Sequence, residues 1–466
     1  MVITRNFKLM VAILGLLIFL SVGIYKDKIV LAFIFIVGLW ILAILVKNPV
    51  RLIYVQIIYN YIIKFAIQIF NIPSWANYAT DLLTVLIVIA AIKEILTQEK
   101  KSNMKLPIAI VFFFLLTTVI GLIINGQSIL LYIWGIRNNF RFYGFLFGCV
   151  VFLKKKDIDL IFKTTILISF VNLMFCAVQY FVFGISQDSL GGIFGTNVGV
   201  NIYLNVFICI TTLIALVQFE YKKMSTSIML FIIFSNLCIA AVGEIKIFFL
   251  ELIVIVAATL IFSKPSKKTF FLLIFCVIGV YFGIQLFYKI FPQWQSYFSI
   301  EKIISSNQTY ATVTDLGRLT ATQRITSMFL SGDISKILFG IGLGSAETSQ
   351  IPMFTSQFYY DYGTSLHYTW LSQAFILLEN GWVGLVCFFG FFVSIVGSCF
   401  KIRKRKKEYF DYCVITQVSA ILCCLFAIYN STLRTEAAYF IYLMLSLPFA
   451  LYRNEEEFNN IKVEID

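Results

Sequence analysis

The sequence predicts an all-α polytopic membrane protein, and three observations carry that prediction. The chain is 60% hydrophobic and only 13% charged, whereas a typical soluble domain carries about 25% charged residues. Apolar runs of about twenty residues, the length that crosses a hydrocarbon core of about 30 Å, alternate with short and mostly basic connectors. No alternation of period two is present that would mark the strands of a barrel.

The expectation is 14 transmembrane helices, with a range of 12–14. In order they fall at 9–25, 29–46, 52–72, 82–96, 106–124, 129–153, 160–183, 201–219, 226–242, 247–262, 269–288, 371–400, 412–429 and 437–452. The first run, from Leu9 to Tyr25, lacks a small-residue cleavage site and reads as a retained span. Run 82–96 is short and ends in Lys93 and Glu94. Run 129–153 opens like an interfacial helix, and run 371–400 is long enough to begin above the membrane.

Four stretches follow from these spans. Residues 1–288 hold eleven helices and an intermediate outside loop at 184–200. Residues 289–370 form a large extracytoplasmic loop, 371–452 hold the last three helices, and 453–466 form a cytoplasmic tail.

Net charge is +13. Most Lys and Arg fall in connectors on one side, with the densest groups at Lys154 to Lys156 and Arg403 to Lys407. That bias puts the N-terminus and C-terminus in the cytoplasm and argues for topology rather than nucleic-acid binding. The ten Cys lie in or beside spans and contain no CxxC, so they read as small apolar fillers, with neither a disulfide framework nor a zinc site expected.

Three places can carry chemistry. The stretch YIWGIRNNFRFY sets Arg137 and Arg141 four residues apart on one helix face, within a span. A charge at that depth costs about 2.5–3.5 kcal/mol on insertion scales, so two together point to a site. Paired guanidiniums suit a diphosphate, whose oxygens they meet bidentately. The plain alternative is snorkelling, or pairing with an acid on another helix.

In the large loop, Arg324 precedes an amphipathic piece (Ile325, Met328, Phe329), a turn at Ser331-Gly332-Asp333, and the glycine run FGIGLG (339–344). Those glycines allow close backbone approach, and they lack Walker spacing, which argues against nucleotide binding. Aromatic residues crowd the same loop, from Trp294 to Trp370, where they can stack on sugars or form an interfacial belt.

His367 is the sole histidine and opens LHYTWLSQAFILLENGWVGLV outside the membrane, where it can accept a proton from a hydroxyl. Glu379, twelve residues on, is expected to have a structural or capping role. Structural ion pairing is expected for Glu244 and Lys246, at the outer end between two spans, and for Glu251 about a turn and a half deeper, and Lys64 and Lys163 are expected to snorkel.

These motifs resemble the bacterial O-antigen polymerase and ligase superfamily, which includes capsule and exopolysaccharide polymerases. The resemblance rests on GIRNNFRFYGFLF (135–147), GTN (195–197), Arg324 followed by FGIGLG, and LHYTW (366–370) with ENGWVGL (379–385), in that order across most of residues 130–450. It implies a membrane-embedded, metal-independent glycosyltransferase without cofactor, in the bacterial cytoplasmic membrane. Its substrate would be an undecaprenyl-pyrophosphate-linked oligosaccharide, and its neighbours a flippase and a chain-length regulator of the same pathway.

Carried over residue by residue, Arg137, Arg141 and Arg324 would hold the diphosphate, with Arg318 as a weaker candidate. His367 would orient or deprotonate the acceptor. Loop 184–200 contains no Arg, a departure from polymerases with a second arginine loop. A ligase with a different acceptor and a lipid-linked oligosaccharide flippase are the rival readings, and a cell-wall synthase with an essential outside Asp keeps Asp315 and Asp361 in view.

Overall fold

A computed structural model of the chain describes residues 47–97, 102–263 and 315–463, together with positions 281, 285 and 288. The expected spans at 9–25, 29–46 and most of 269–288, and residues 289–314 of the large loop, lie outside the described residues. Among the described residues the structure is helical without strands.

The long helices are α1 (Pro49–Ile69), α2 (Ala79–Thr97), α3 (Lys105–Asn125), α4 (Ile129–Phe152), α5 (Lys155–Phe181), α6 (Asn201–Glu220), α7 (Thr226–Val242) and α8 (Ile247–Phe262). Among the described residues of the large loop are the short α-helices α9 (Ala321–Ile325), α10 (Ile334–Phe339) and α11 (Gln357–Leu366). The chain then returns through α12 (Ser372–Arg405), α13 (Phe410–Tyr429) and α14 (Ala438–Val463). Six helices of the described residues are long and apolar enough to cross a membrane, and α7 and α8 are shorter apolar helices. The protein is an all-α, multi-pass membrane protein.

The helices form up-and-down hairpins with two distinct ends. At one end α13 meets α12, where Ser372 N donates to Asn430 O at 3.0 Å. Gln127 at the α3–α4 turn donates there to Leu343 O of the large loop. At the opposite end the Tyr54 hydroxyl donates to Asp157 at 2.7 Å, Tyr412 donates to Asp159 at 2.7 Å, and Lys223 pairs with Asp411 at 2.6 Å. The basic groups Lys154 to Lys156 and Arg403 to Lys407 lie at this second end. The loops bearing the candidate residues therefore cap the end opposite the basic one.

Burial sorts the helices. α6 is enclosed along nearly its whole length, from Tyr203 to Val217. α3 instead exposes Phe112, Phe113 and Ile123, as a helix facing lipid does. α14 and α12 bring Tyr439, Tyr442 and Phe391 against Phe142 and Tyr143 of α4. The core thus packs behind the face of α4 that carries Arg141.

α12 is broken. Gly381 has φ 64° and ψ −168° inside it, a conformation favoured by glycine. The glycine run of the large loop lies along the break, where Ile341 N donates to Leu378 O at 2.9 Å and Gly342 N to Glu379 O at 3.0 Å. Irregular backbone at membrane depth is tolerated where protein satisfies its polar groups, and here loop and broken helix satisfy one another.

Candidate functional site

Arg137 and Arg141 lie on α4, about 12 and 18 Å along its axis from Ile129 at 1.5 Å per residue. They do not snorkel. Asp81, in the first turn of α2, accepts from both: from Arg137 Nε at 3.0 Å and its Nη2, and from Arg141 Nη1 at 3.0 Å. Arg137 also donates to Asn138 and lies over the rings of Trp134 and Tyr78, at 4.6 and 4.8 Å.

Arg141 is 9% exposed. Its other amino group faces Glu436 Oε1 and Arg434 O, each at 3.4 Å, and its Nε is buried without a hydrogen-bond partner. The acid-pairing alternative thus holds for both arginines, and the acids come from two elements remote in sequence.

Glu436 lies in the turn between α13 and α14. Lys64 of α1 pairs with it at 3.1 Å and the Tyr203 hydroxyl donates to it at 2.6 Å. Burial raises the Glu436 carboxyl, but Lys64 and Arg141, with hydrogen bonds from Tyr203 and Lys64, override that and hold it well below the usual carboxylate range. Lys64 therefore does not snorkel as expected. A carboxylate within reach binds the ammonium better than a stretch to the interface would.

A second cluster forms where the large loop meets the broken helix. Glu347 accepts from Arg434 Nη2 at 2.7 Å, and the Arg434 guanidinium lies 3.0 Å from the Phe375 ring centroid. The Tyr368 hydroxyl donates to Ala346 O at 2.8 Å, while Ala346 N donates to Glu379 Oε1 at 3.0 Å. Glu379 is fully buried. Its second oxygen has no hydrogen-bond partner.

His367 caps α11 in the left-handed region, with φ 49°. That conformation is uncommon for a non-glycine residue and enriched at functional positions. Its Nδ1 lies 2.6 Å from Asp315 Oδ1, and its ring stacks on Trp370 with centroids 3.9 Å apart. Asp315 is only 2% exposed. A carboxylate at Nδ1 fixes the proton there and leaves Nε2 as acceptor. Arg324 Nη1 donates to Asp315 O at 2.7 Å, which puts Arg324 beside this pair.

Arg318 is engaged elsewhere. Its Nε donates to Tyr429 O at 2.8 Å, its guanidinium covers the Tyr429 ring at 3.9 Å, and burial lowers its pKa.

The predicted residues therefore gather as two pairs, Arg137 with Arg141 around Asp81, and Arg324 with His367 around Asp315. A continuous chain of contacts joins them. From His367 it passes to its neighbour Tyr368, to Ala346 and Glu347, across to Arg434, and through the Arg434 carbonyl to Arg141.

Sequence reasoning missed Asp81, Lys64, Tyr203, Arg434 and Glu436 as members of this network. The acids at positions 81 and 436 border apolar runs and carried a weak signal of their own. Glu251 accepts from two neutral groups of α6, Asn205 at 3.2 Å and Cys209 at 3.1 Å. The face of α8 that carries it turns into the bundle.

Loop 184–200 is pinned by amides. Gln68 at the end of α1 bonds to both the hydroxyl and the backbone N–H of Thr196, and Gln179 brackets Gly192 with bonds of 2.8 and 2.7 Å. This loop offers a wall rather than a second arginine cluster. Among the described residues no group of His, Cys, Asp and Glu has the spacing to hold a metal ion. No family model matches the sequence, and no curated protein matches it.

Proposed function

We propose that this protein is a polysaccharide polymerase that joins lipid-linked oligosaccharide repeat units at the outer face of a bacterial cytoplasmic membrane. In this reading 14 helices span the bilayer, and the basic end faces the cytoplasm by the positive-inside bias. The substrate is an oligosaccharide on undecaprenyl diphosphate.

One observation carries the reading most. Two guanidiniums inside a membrane protein share a single carboxylate, at the same bundle end as a histidine whose Nδ1 faces a buried aspartate. Cations held in a dry, preorganised site stabilise charge that grows on a leaving group. The leaving group here is a diphosphate, and Arg137 and Arg141 supply forked donors for it.

The step balances without a redox partner. The acceptor hydroxyl oxygen attacks C1 of the donor sugar, and the C1–O bond to the diphosphate breaks, its electron pair leaving with the diphosphate. The hydroxyl proton passes to Nε2 of His367, which Asp315 orients and whose positive charge it stabilises. Trp370, half exposed beside His367, offers a flat face for the acceptor sugar.

Glycan length in cells tests this. The gene is deleted and restored with wild type, Arg141→Ala or His367→Ala at matched membrane levels. The polymerase reading expects single repeat units on lipid in the deletion strain and no ladder from either variant. Long polymer that fails to reach its final acceptor identifies a ligase, and units trapped on the inner face identify a flippase.

A further inference from the structure

Asp81 stands where the proposed diphosphate would have to bind. It accepts hydrogen bonds from both Arg137 and Arg141, so the two guanidiniums already hold an anion. Glu436 is different. Lys64, Tyr203 and Arg141 all bind it, so it stays anchored when one partner leaves. Asp81 takes its hydrogen bonds from the two arginines and is the more exposed acid, at 18% of its side chain against 12% for Glu436.

We infer that Asp81 is a displaceable counter-ion: it yields Arg137 and Arg141 to the lipid diphosphate on binding and retakes them to expel the diphosphate product. This deepens the polymerase reading and rests on it. The physical need comes from charge. The donor's diphosphate is esterified at both ends. After transfer the lipid diphosphate ends in a free phosphate, whose second pKa is about 6, so it carries more negative charge at neutral pH.

Two arginines that suit the donor would therefore hold the product more tightly still. Tight product binding slows turnover where release limits the rate. A carboxylate tethered beside the guanidiniums competes at high local concentration, and in the empty site it neutralises Arg137 and shares Arg141 with Glu436. The site is thus neutralised when empty and cleared after each transfer.

Geranyl diphosphate, a short prenyl diphosphate, serves as the probe, with the full chain purified in detergent. Asp81→Asn is expected to tighten its binding by about tenfold or more, mainly through slower dissociation, because the competing charge is gone. Asp81→Glu, which restores the charge, is expected to return affinity toward wild type. Asp81→Ser replaces Asp81→Asn should the latter fail to fold.

Equal or weaker binding by the neutral variants, with Arg137→Ala also weaker, would overturn the counter-ion role and leave the diphosphate site standing. If wild type binds the probe no better than the Arg137→Ala, Arg141→Ala double variant, the diphosphate reading falls and the inference falls with it.

Discussion

Gly344→Ala tests whether the large loop is locked onto α4 beside the arginines. Gly344 has φ +92°, and a Cβ built there meets Leu131 O at 2.0 Å and Leu131 C at 2.6 Å, both backbone atoms of the first turn of α4. Gly332 gives the control. Its φ is +91°, and a Cβ there meets nothing within 4 Å. Both substitutions carry the same kind of backbone strain, about 1–2 kcal/mol for a left-handed alanine. Only Gly344→Ala also drives a methyl into a helix backbone.

Relief of that contact requires the loop to lift by more than about 1 Å, and a misplacement of that size costs about 10²-fold in rate. Gln127, which donates to Leu343 O, and Ala346, which bonds to Glu379, move with the loop. The assay pairs the thermal unfolding midpoint in detergent with the glycan ladder. Gly332→Ala is expected to lower the midpoint slightly and keep the ladder, whereas Gly344→Ala is expected to lower it further and lose the ladder. Equal behaviour of the two variants would refute the docking of this loop.

Asp315→Asn is expected to reduce polymer formation by about 10²-fold or more while the protein stays folded, because the amide no longer fixes the proton on Nδ1 of His367; an unchanged ladder would remove the pair from the mechanism. Glu436→Gln leaves Lys64 and Arg141 facing a neutral group and is expected to cost about 3–5 kcal/mol of stability, measured by denaturation. The Glu436 carboxyl is depressed in the fold, so its contribution is complete above the ordinary carboxylate pKa of about 4.3 and is lost as pH falls below that value toward its folded pKa. Stability of the wild type should therefore fall on acidification more steeply than that of Glu436→Gln. Arg318→Lys gives up the stack on Tyr429 and is expected to cost about 1 kcal/mol of stability with the ladder intact; loss of the ladder would return Arg318 to the site.

The helices were legible because burial in lipid demands long apolar runs, and α1 to α8 fall at or within a few residues of the expected boundaries, although only some of them reach about twenty apolar residues. Arg137 and Arg141 were legible as a pair because a four-residue spacing fixes their shared face. Their partners were not. Asp81 lies 56 and 60 residues from the arginines it binds, and Glu436 lies 295 from Arg141. Local periodicity carries no information across such separations.

Lys64 looked like a snorkelling residue for the same reason, since its acid comes from the opposite end of the chain. The glycine run signalled close approach correctly but not its target. One of its targets, the break at Gly381, depends on a backbone conformation that an isolated glycine in an apolar run does not announce. His367 drew attention as the sole histidine, whereas its aspartate, 52 residues earlier, was one of several acids in the loop.

The most direct measurement of the central claim is polymer synthesis by the purified chain in vesicles supplied only with lipid-linked repeat units. Arg141→Ala makes a clean comparison. Without Arg141, Asp81 keeps Arg137 and Glu436 keeps Lys64 and Tyr203, so no buried acid is stranded. The account predicts long glycan on lipid diphosphate from wild type and only single units from the folded variant. Failure of wild type to extend the units, or full-length polymer from Arg141→Ala, would contradict it.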